Sequence, residues 1–328
     1  MSYTKIDLSK LPSPQIIEEL DFETILAEMI ADLKARTGDE FSADLVESDP
    51  IMKNLEANAY RELGIRQRVN EAARAVMLAY SLDADLDNLA AFYSVKRGTL
   101  TPGDDTAVPP VFPTYESNKD LRRRTQLAPE GMTTAGSEGS YIFHGLSAGD
   151  QVLTVDVASP EPGKTVVTYN YGPEGLSAKV KDISAQDLDP AGGIVEITVL
   201  GRIGDGTPDN DLLSAVTEHL NHKYVRPLTD QVNVSAATIQ SYTVEAVLHI
   251  EDGPDPSVLV AEANKRCQEY VDEVHKLGGT VARSGIDHAL HIGGVRKVII
   301  TKPAVDIETD LATAPHCSQI TLTTSGGI

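Results

Sequence analysis

Phe22, Ile25, Leu26, Met29, Ile30 and Leu33 recur at the spacing of one helix face, which predicts a first helix that stops at Gly38. Ser48-Asp49-Pro50 then places a capping side chain before a proline at the first helical position, so a second helix begins there. No further proline follows until Pro102. The apolar stripe of this second helix runs from Leu55, Ala59 and Leu63 to Val69, Ala72, Ala73, Val76, Met77 and Tyr80. A helix from Lys53 to Tyr80 would be about 42 Å long, with Gly64 as the point where it could kink or split. A shorter helix over Leu86, Leu89, Ala90 and Tyr93 follows. Long helices with such stripes bury them against other helices. Two or three helices hold little core of their own, so the pattern predicts that other chains supply cover.

Thr99 to Pro113 breaks the pattern with Pro102, Gly103, Pro109, Pro110 and Pro113, which predicts an extended connector. Asn118 is expected to cap a short helix through Leu127, and Gly131 to Gly139 reads as a loop. The period then shortens to two. Gln151–Val157, Lys164–Tyr169 and Ile194–Leu200 read as strands, punctuated by Pro160, Pro162, Gly163, Gly172, Pro173, Gly192 and Gly193. Gly201–Pro208 is a further boundary. Beyond it, Thr207-Pro208 is expected to cap a helix carrying Leu212, Leu213, Val216 and Leu220. Gln231–Val234 is a short strand. Tyr242, Val244, Ala246, Leu248 and Ile250 alternate as a half-buried strand does. Val260, Ala263, Cys267, Tyr270, Val271 and Val274 form a helix face after Ser257, Ser284 caps a short helix ended by Gly293-Gly294, and Val295–Thr301 is a last strong strand. The expected fold class is α+β and multidomain: an N-terminal long-helix bundle segment followed by two mixed α/β domains. The corresponding boundaries are 1–100 for the helical segment, 101–118 for the proline-rich connector, 119–206 for a β-rich middle domain and 207–328 for a C-terminal α+β domain that makes ring or dimer contacts.

Composition narrows the function classes. The 328 residues carry 28 Lys plus Arg against 49 Asp plus Glu, a formal charge of −21. That balance opposes a nucleic-acid backbone. It favours solubility and basic or neutral partners. No run of about 18 apolar residues occurs, so no membrane span is expected. The N-terminus lacks the basic-then-apolar pattern of a secretion signal. Cys267 and Cys317 are too few for a disulfide framework, which fits folding in a reducing cytosol.

Candidate chemistry is sparse. There is no phosphate-cradling glycine loop, dinucleotide fingerprint, nucleophile elbow or His-Glu-x-x-His. Asp83, Asp85 and Asp87 have calcium-loop spacing, but Asn88 stands where glycine is needed and Ser94 where a bidentate glutamate is needed. They read instead as a polar helix junction. His219 with His222, and His288 with His291, each lie three apart, yet neither pair has a third ligand at metal-site spacing. Cys267 sits on an apolar helix face and reads as a core residue. Arg122-Arg123-Arg124 is the one basic cluster, a solvated helix face or a contact for an acidic neighbour. Carboxylates are abundant, but abundance does not make a catalytic pair. The reading is therefore no enzyme, no cofactor and no metal.

A series of motifs in order does carry a resemblance. Glu47-Ser48-Asp49-Pro50, Leu55-Glu56-Ala57, Ala59-Tyr60-Arg61-Glu62, Arg66 through Tyr80, and Asp85-Leu86-Asp87-Asn88-Leu89-Ala90-Ala91 to Val95-Lys96-Arg97 come first. Lys119 through Ala128, Ala135-Gly136-Ser137, Tyr141 through Ala148, Val155 through Pro160, Gly204 through Pro208 and Val225 through Asp230 follow. The chain resembles the baseplate assembly protein J family of contractile phage tails and R-type pyocins, from about Asp44 to Pro303. It differs at Ser81-Leu82, where the family has an Ala-Gly-like pair. It also differs at Glu161 to Ala191, a β-rich insertion. The resemblance implies a structural wedge protein of a phage or tailocin baseplate, made in the host bacterial cytoplasm. Two copies pair with one tail protein I-like partner through a helical bundle. Wedges join into a six-fold ring around the hub, next to the sheath-initiator proteins, and the ring controls sheath contraction. It implies no catalytic or cofactor residues.

The residues expected in the helical interface are Leu55, Ala59, Tyr60, Leu63, Arg66, Val69, Ala73, Val76, Met77, Tyr80, Leu86 and Leu89. Arg61, Arg68, Arg74, Arg122, Arg123 and Arg124 form an accompanying polar set, because planar guanidinium forks suit carboxylates on neighbouring helices. The proline-rich connector is expected to let two copies adopt two orientations. Two other functions remain open at this stage: an assembly scaffold or chaperone absent from the finished particle, and a carboxylate-based cell-wall hydrolase. Aromatics at 5% and the absence of Trp disfavour sugar stacking by the latter.

Overall fold

The structure, a computed structural model, describes residues 6–12, 20–37, 49–132, 136–148, 152–161, 164–171, 176–189, 193–222, 225–251 and 255–325. Gly38, Ser48 and the turn residues Pro162, Gly163, Gly172, Pro173 and Gly192 lie outside the described residues. The chain forms two compact units, residues 4–94 and residues 95–328.

The smaller unit is helical. α1 (Phe22–Thr37) and α2 (Pro50–Ala75) pack through Ile25, Leu26 and Ala59, with Phe22, Met29, Ile30, Met52, Leu55 and Leu63 around them. Asp49 caps α2 by accepting from the Ile51 N–H at 2.8 Å, and Pro50 occupies the first turn. α2 runs unbroken through Gly64. The pairs Glu62–Arg66 and Gln67–Glu71, each four residues apart, brace the turns on either side. The helix ends earlier than the apolar stripe predicts. Val76 is its C-cap, and turns at Met77–Arg74 and Tyr80–Met77 fold the chain back. Val76, Met77 and Tyr80 therefore lie beyond the helix. The Tyr80 hydroxyl donates toward the Leu11 and Pro12 carbonyls, so tertiary contact overrides local propensity there. α3 (Asp83–Ala91) buries Leu86 and Ala90, and Tyr93 falls in the turn after it. Its N-cap is Leu82, with no side-chain cap. Asp83, Asp85 and Asp87 lie on this helix, not in a cation-binding loop.

The larger unit opens with a hairpin where an extended connector was expected. β1 (Thr99–Thr101) pairs with β2 (Thr114–Tyr115), and Asp104 bridges to Val111. Asp104 Oδ1 accepts from the Thr106 and Ala107 N–H groups, which closes a side-chain turn that tolerates the following prolines. The boundary between the units thus falls at Ser94–Val95, ahead of the proline-rich stretch. α4 (Asn118–Gly131) starts from Ser117, not Asn118, and α5 (Glu138–Leu146) replaces the end of the expected loop. β3 (Val152–Glu161) and β4 (Lys164–Tyr171) form an antiparallel hairpin.

A short turn, α6 (Leu176–Lys179), leads into β5 (Val180–Asp189), which pairs antiparallel with β6 (Ile194–Gly201). α7 (Asn210–Leu220), capped by Asp209, not Thr207, crosses to β7 (Gln231–Ala236), parallel to β6. β8 (Thr238–Ile250) is the centre of a second sheet. α8 (Pro256–Val274) is capped by Asp255, which accepts from the Ser257 N–H at 2.9 Å. β9 (Thr280–Val281) pairs with β11 (Ile307–Glu308), and α9 (Arg283–Leu290) contains Ser284, its N-cap position being Ala282. β10 (Val295–Lys302) lies antiparallel to β8, and β12 (Thr313–Ser325) lies parallel on its other side, in the order β10-β8-β12. The expected last strand, β10, is therefore not the last. Val244, Ala246 and Leu248 meet Ala263, Cys267, Val271, Ile286 and Leu290 in the main core, between this sheet and helices α8 and α9. The α+β class stands. The smaller unit is a helix pair with α3, and the described residues do not make it a bundle.

Candidate interaction surfaces

The smaller unit divides its apolar residues between its own core and its surface. Ala59 is fully buried, and Leu55 and Leu63 are half-buried, all against α1. These three expected interface residues are occupied within the chain. Leu86 is buried and Leu89, Ala73, Met77 and Tyr80 are half-buried. Arg66 binds Glu62 and reaches Glu28 of α1 at 3.5 Å. What remains outside is a face spaced four, three and four residues apart: Ile65, Val69, Ala72 and Val76. Ile65 is 61% exposed and Val76 70%. Tyr60, also 70% exposed, lies elsewhere on α2, and Phe92 at 84% closes α3. Ile65 and Phe92 escaped the sequence reading, which followed the small-residue stripe. The signal was present, since Ile65 stands four residues before Val69. Arg61, Arg68 and Arg74 are exposed and form no ion pair among the described residues.

The Arg122–Arg124 cluster is placed quite differently. Arg124 donates to Glu116 Oε2 at 2.7 Å with both side chains buried, and the Gly98 N–H donates to the same oxygen at 2.8 Å. Arg97 holds the Glu116 carbonyl and the Asn118 amide oxygen, each at 2.8 Å. Burial pushes the Glu116 carboxyl above its ordinary value, against the pull of Arg124 and of the Gly98 N–H. Arg123 pairs with Asp182, whose second oxygen accepts from the Leu277 N–H at 3.0 Å. Arg202 pairs with Asp120 at 2.9 Å, and Lys181 donates to His275 Nδ1 at 2.9 Å. These links stitch α4 to β5 and to the turn after α8. Arg124 is thus buried in its pair with Glu116, and Arg122 and Arg123 are half-buried, with Arg123 engaged by Asp182. The cleft among these groups has room for only about 10 Å³, one water at most. Its carboxylates are matched by cations, so it does not offer the unpaired acid and base that hydrolysis needs.

His219 is buried with both ring nitrogens unpartnered, 5.8 Å from the His144 ring, and burial lowers its pKa to about 4. His275 is lowered to about 4 by burial and by Lys181. His288 and His291 are exposed. Among the described residues no three His, Cys, Asp or Glu side chains converge as a metal site. Cys267 is fully buried and its thiol is pushed up to about 12, which suits packing and not reactivity. No helix among the described residues is long and apolar enough to cross a membrane.

Two comparisons bear on what these surfaces serve. The family model for the Baseplate J-like N-terminal domain matches residues 47–104. The chain is 39% identical to Baseplate protein J of Escherichia phage P2 over 326 residues, covering 98% of each protein.

Proposed function

The chain belongs to the baseplate J family, and from that membership we propose that two copies pair with one tail protein I-like subunit to form a baseplate wedge. As a member it is a structural component of a phage baseplate. In the finer reading, wedges join into a six-fold ring around the hub, in contact with sheath-initiator proteins. The ring holds the sheath extended and rearranges on contraction. The role is non-enzymatic. The subunit is made in the host cytoplasm and ends in the tail or tailocin particle. The observation that carries this reading is the exposed face Ile65, Val69 and Ala72 on α2, continued by its C-cap Val76, with Phe92 at the C-cap of α3. A monomer rarely leaves such a stripe in water, and helix–helix packing is the usual way to cover it. The match of the family domain to residues 47–104 takes in all of these positions. Exposed Arg61, Arg68 and Arg74 supply charge at the rim, where it steers association.

Co-expression with the neighbouring tail protein, followed by native mass measurement, tests the proposal. The expected product contains two copies of this chain and one of the partner. A chain that stays monomeric beside that partner overturns it. Val69→Glu with Val76→Glu should leave the helical signal of the isolated chain unchanged and abolish the complex.

A further inference from the structure

Two of the sheets in the larger unit, β5-β6-β7 and β10-β8-β12, share no strand. The chain crosses from β7 to β8 through the single residue Ala237. Ala237, Leu200, Leu277 and Ala314 form a small apolar cluster there, separate from the main core that the second sheet shares with α8 and α9. Beside it, β5 reaches across by polar contacts. Asp182 accepts from the Leu277 N–H at 3.0 Å, the Ser184 hydroxyl donates to the Leu311 carbonyl at 2.6 Å, and Lys181 donates to His275 Nδ1 at 2.9 Å. The last bond differs in kind from the other two. An ammonium group has only protons to give, so the bond requires a lone pair on Nδ1 and a neutral ring with its proton on Nε2. That ring, at the C-cap of α8, is 7% exposed, and its Nε2 is buried with no hydrogen-bond partner among the described residues. Gly206 closes that side, since a Cβ there would lie 2.9 Å from Nε2. The His316 ring of β12 stands 5.2 Å away. A second proton can enter the His275 ring only at Nδ1, where it meets the Lys181 ammonium.

We propose that the Lys181–His275 bond is a proton-released latch: protonation of His275 breaks it, and the β5-β6-β7 sheet then parts from the end of α8 while each sheet keeps its own core. One added proton turns an attraction into a contact between two cations, in a site too closed for water to screen them. The surrounding charges do not rescue it. Lys181 and His316 oppose a charge on the ring, whereas Asp272 on α8 and the Asp205 backbone favour one. Asp182, next to Lys181, is already taken by Arg123 and the Leu277 N–H. Arg202 and Asp120 also face Lys181, but they pair with each other at 2.9 Å. Burial, Lys181 and His316 together hold the ring's pKa down at about 4. Once the sheets part, the ring returns to its ordinary value near 6.5, so the open state takes up the proton that the closed state refuses. The closed state therefore keeps its full advantage above pH 6.5 and loses it as pH falls toward about 4. Ala237 is the pivot, a short connector of the kind that absorbs such a change. The latch lies within one subunit and does not rest on the wedge reading.

The test uses the full chain and amide hydrogen exchange across a pH series, with rates corrected for the intrinsic effect of pH. The Leu277 N–H, which bonds to Asp182 across the joint, is the reporter, and the amides of β8 are the reference. Between pH 7 and pH 5 protection at Leu277 should fall by at least about tenfold while that of β8 holds. His275→Asn offers Lys181 an amide oxygen that does not titrate, so it should keep Leu277 protected across the whole range. Lys181→Met should act in the other direction, leaving Leu277 weakly protected at pH 7 already and little changed by acid. His316→Gln should shift the fall to higher pH without abolishing it, because one opposing group is gone. Protection at Leu277 that stays constant down to pH 4.5, or that is lost together with β8, overturns the proposal. An acid response that survives His275→Asn or Lys181→Met unchanged, or one that His316→Gln abolishes, overturns it as well.

Discussion

The two units differ in how their uncovered apolar side chains are arranged. In residues 4–94 exposed Ile65, Val69 and Val76 line up at helical spacing, with Phe92 also exposed, whereas the exposed Val108, Phe112, Ile203, Leu228 and Val305 of residues 95–328 lie outside its helices and strands. Residues 95–328 also bury charged and ionisable groups, Arg124, Glu116, Asp182, His219 and His275, where residues 4–94 bury only the neutral Asn70 and Ser81 among the described residues. Among the described residues the α1–α2 core of the smaller unit centres on Ile25, Leu26 and Ala59, against a longer core cluster in the larger. An interface is therefore not marked by apolar content, which is averaged over the whole chain in the 41% hydrophobic fraction. It is marked by apolar residues that the local fold leaves uncovered. The larger unit completes itself, and its buried ion pairs fix how α4, β5 and the end of α8 meet. On the proposed reading, a partner helix covers the exposed face of the smaller unit.

The sharpest way to break this contrast is to attack the buried pair. Arg124→Met leaves Glu116 charged and desolvated, so the larger unit should lose about 3–5 kcal/mol in denaturant unfolding. Adding Glu116→Leu should recover most of that loss, since a buried pair exchanged for apolar residues is often neutral. A double variant as unstable as the single would show that the Gly98 and Arg97 contacts, not the charge pair, dominate. Acid is the next lever. All eight histidines lie in the larger unit. His219 and His275 titrate near 4 when folded and near 6.5 when unfolded. The unfolded chain thus gains protons first as pH falls. Stability contributed by the neutral rings is complete above pH 6.5 and is lost down to about pH 4, by roughly 3 kcal/mol for each ring. Glu116, with its pKa raised, acts in the opposite sense and offsets part of that loss. His219→Leu removes two unpartnered buried nitrogens and should flatten the acid limb without lowering stability at neutral pH. The smaller unit, which has no histidine, should show no transition from this cause.

How much of this was legible in the sequence depends on which force positions each element. Strong periodicity located α1, α2, α3, α8, β8 and β10, because each buries one face against a core. β12 was invisible: it is Thr-rich, carries Pro315, and the few side chains it leans on the core, Cys317, Ile320 and Leu322, are interrupted by a register shift that blurs the alternation. β5 was missed because Asp182 and Ser184 are buried through hydrogen bonds to Leu277 and Leu311, so no apolar alternation exists to be read. The start of α5 was read as loop because the stretch from Gly131 to Gly139 is small and polar. Gly139 instead permits close approach, as Gly145 does further along the helix, since a Cβ at Gly139 would strike Glu130 and one at Gly145 would strike Ile183. At the interaction surface, the helix itself was readable and its partition was not. Leu55, Ala59 and Leu63 share the stripe's character with Val69, but only the position of α1 decides which of them are already covered.

Two smaller perturbations probe α2 directly. Asp49→Ala deletes the acceptor for the Ile51 N–H and should lower the stability of the smaller unit by about 1 kcal/mol, read by helical circular dichroism during thermal unfolding. Gly64→Ala should do the reverse. Nothing lies within 4 Å of a Cβ at Gly64, and its backbone is helical. Alanine there costs no clash and restricts the unfolded chain, so the isolated protein should gain about 0.5–1 kcal/mol. In the wedge the same change separates two readings of that open space. If solvent fills it, the gain carries over and the complex melts higher in step with the subunit. If a partner helix approaches the bare backbone there, the added methyl pushes it away, and the complex weakens while the free chain strengthens. Opposite signs for one substitution, measured on the subunit and on the complex, would place the partner on the Gly64 side of α2 as well as over Ile65, Val69 and Val76.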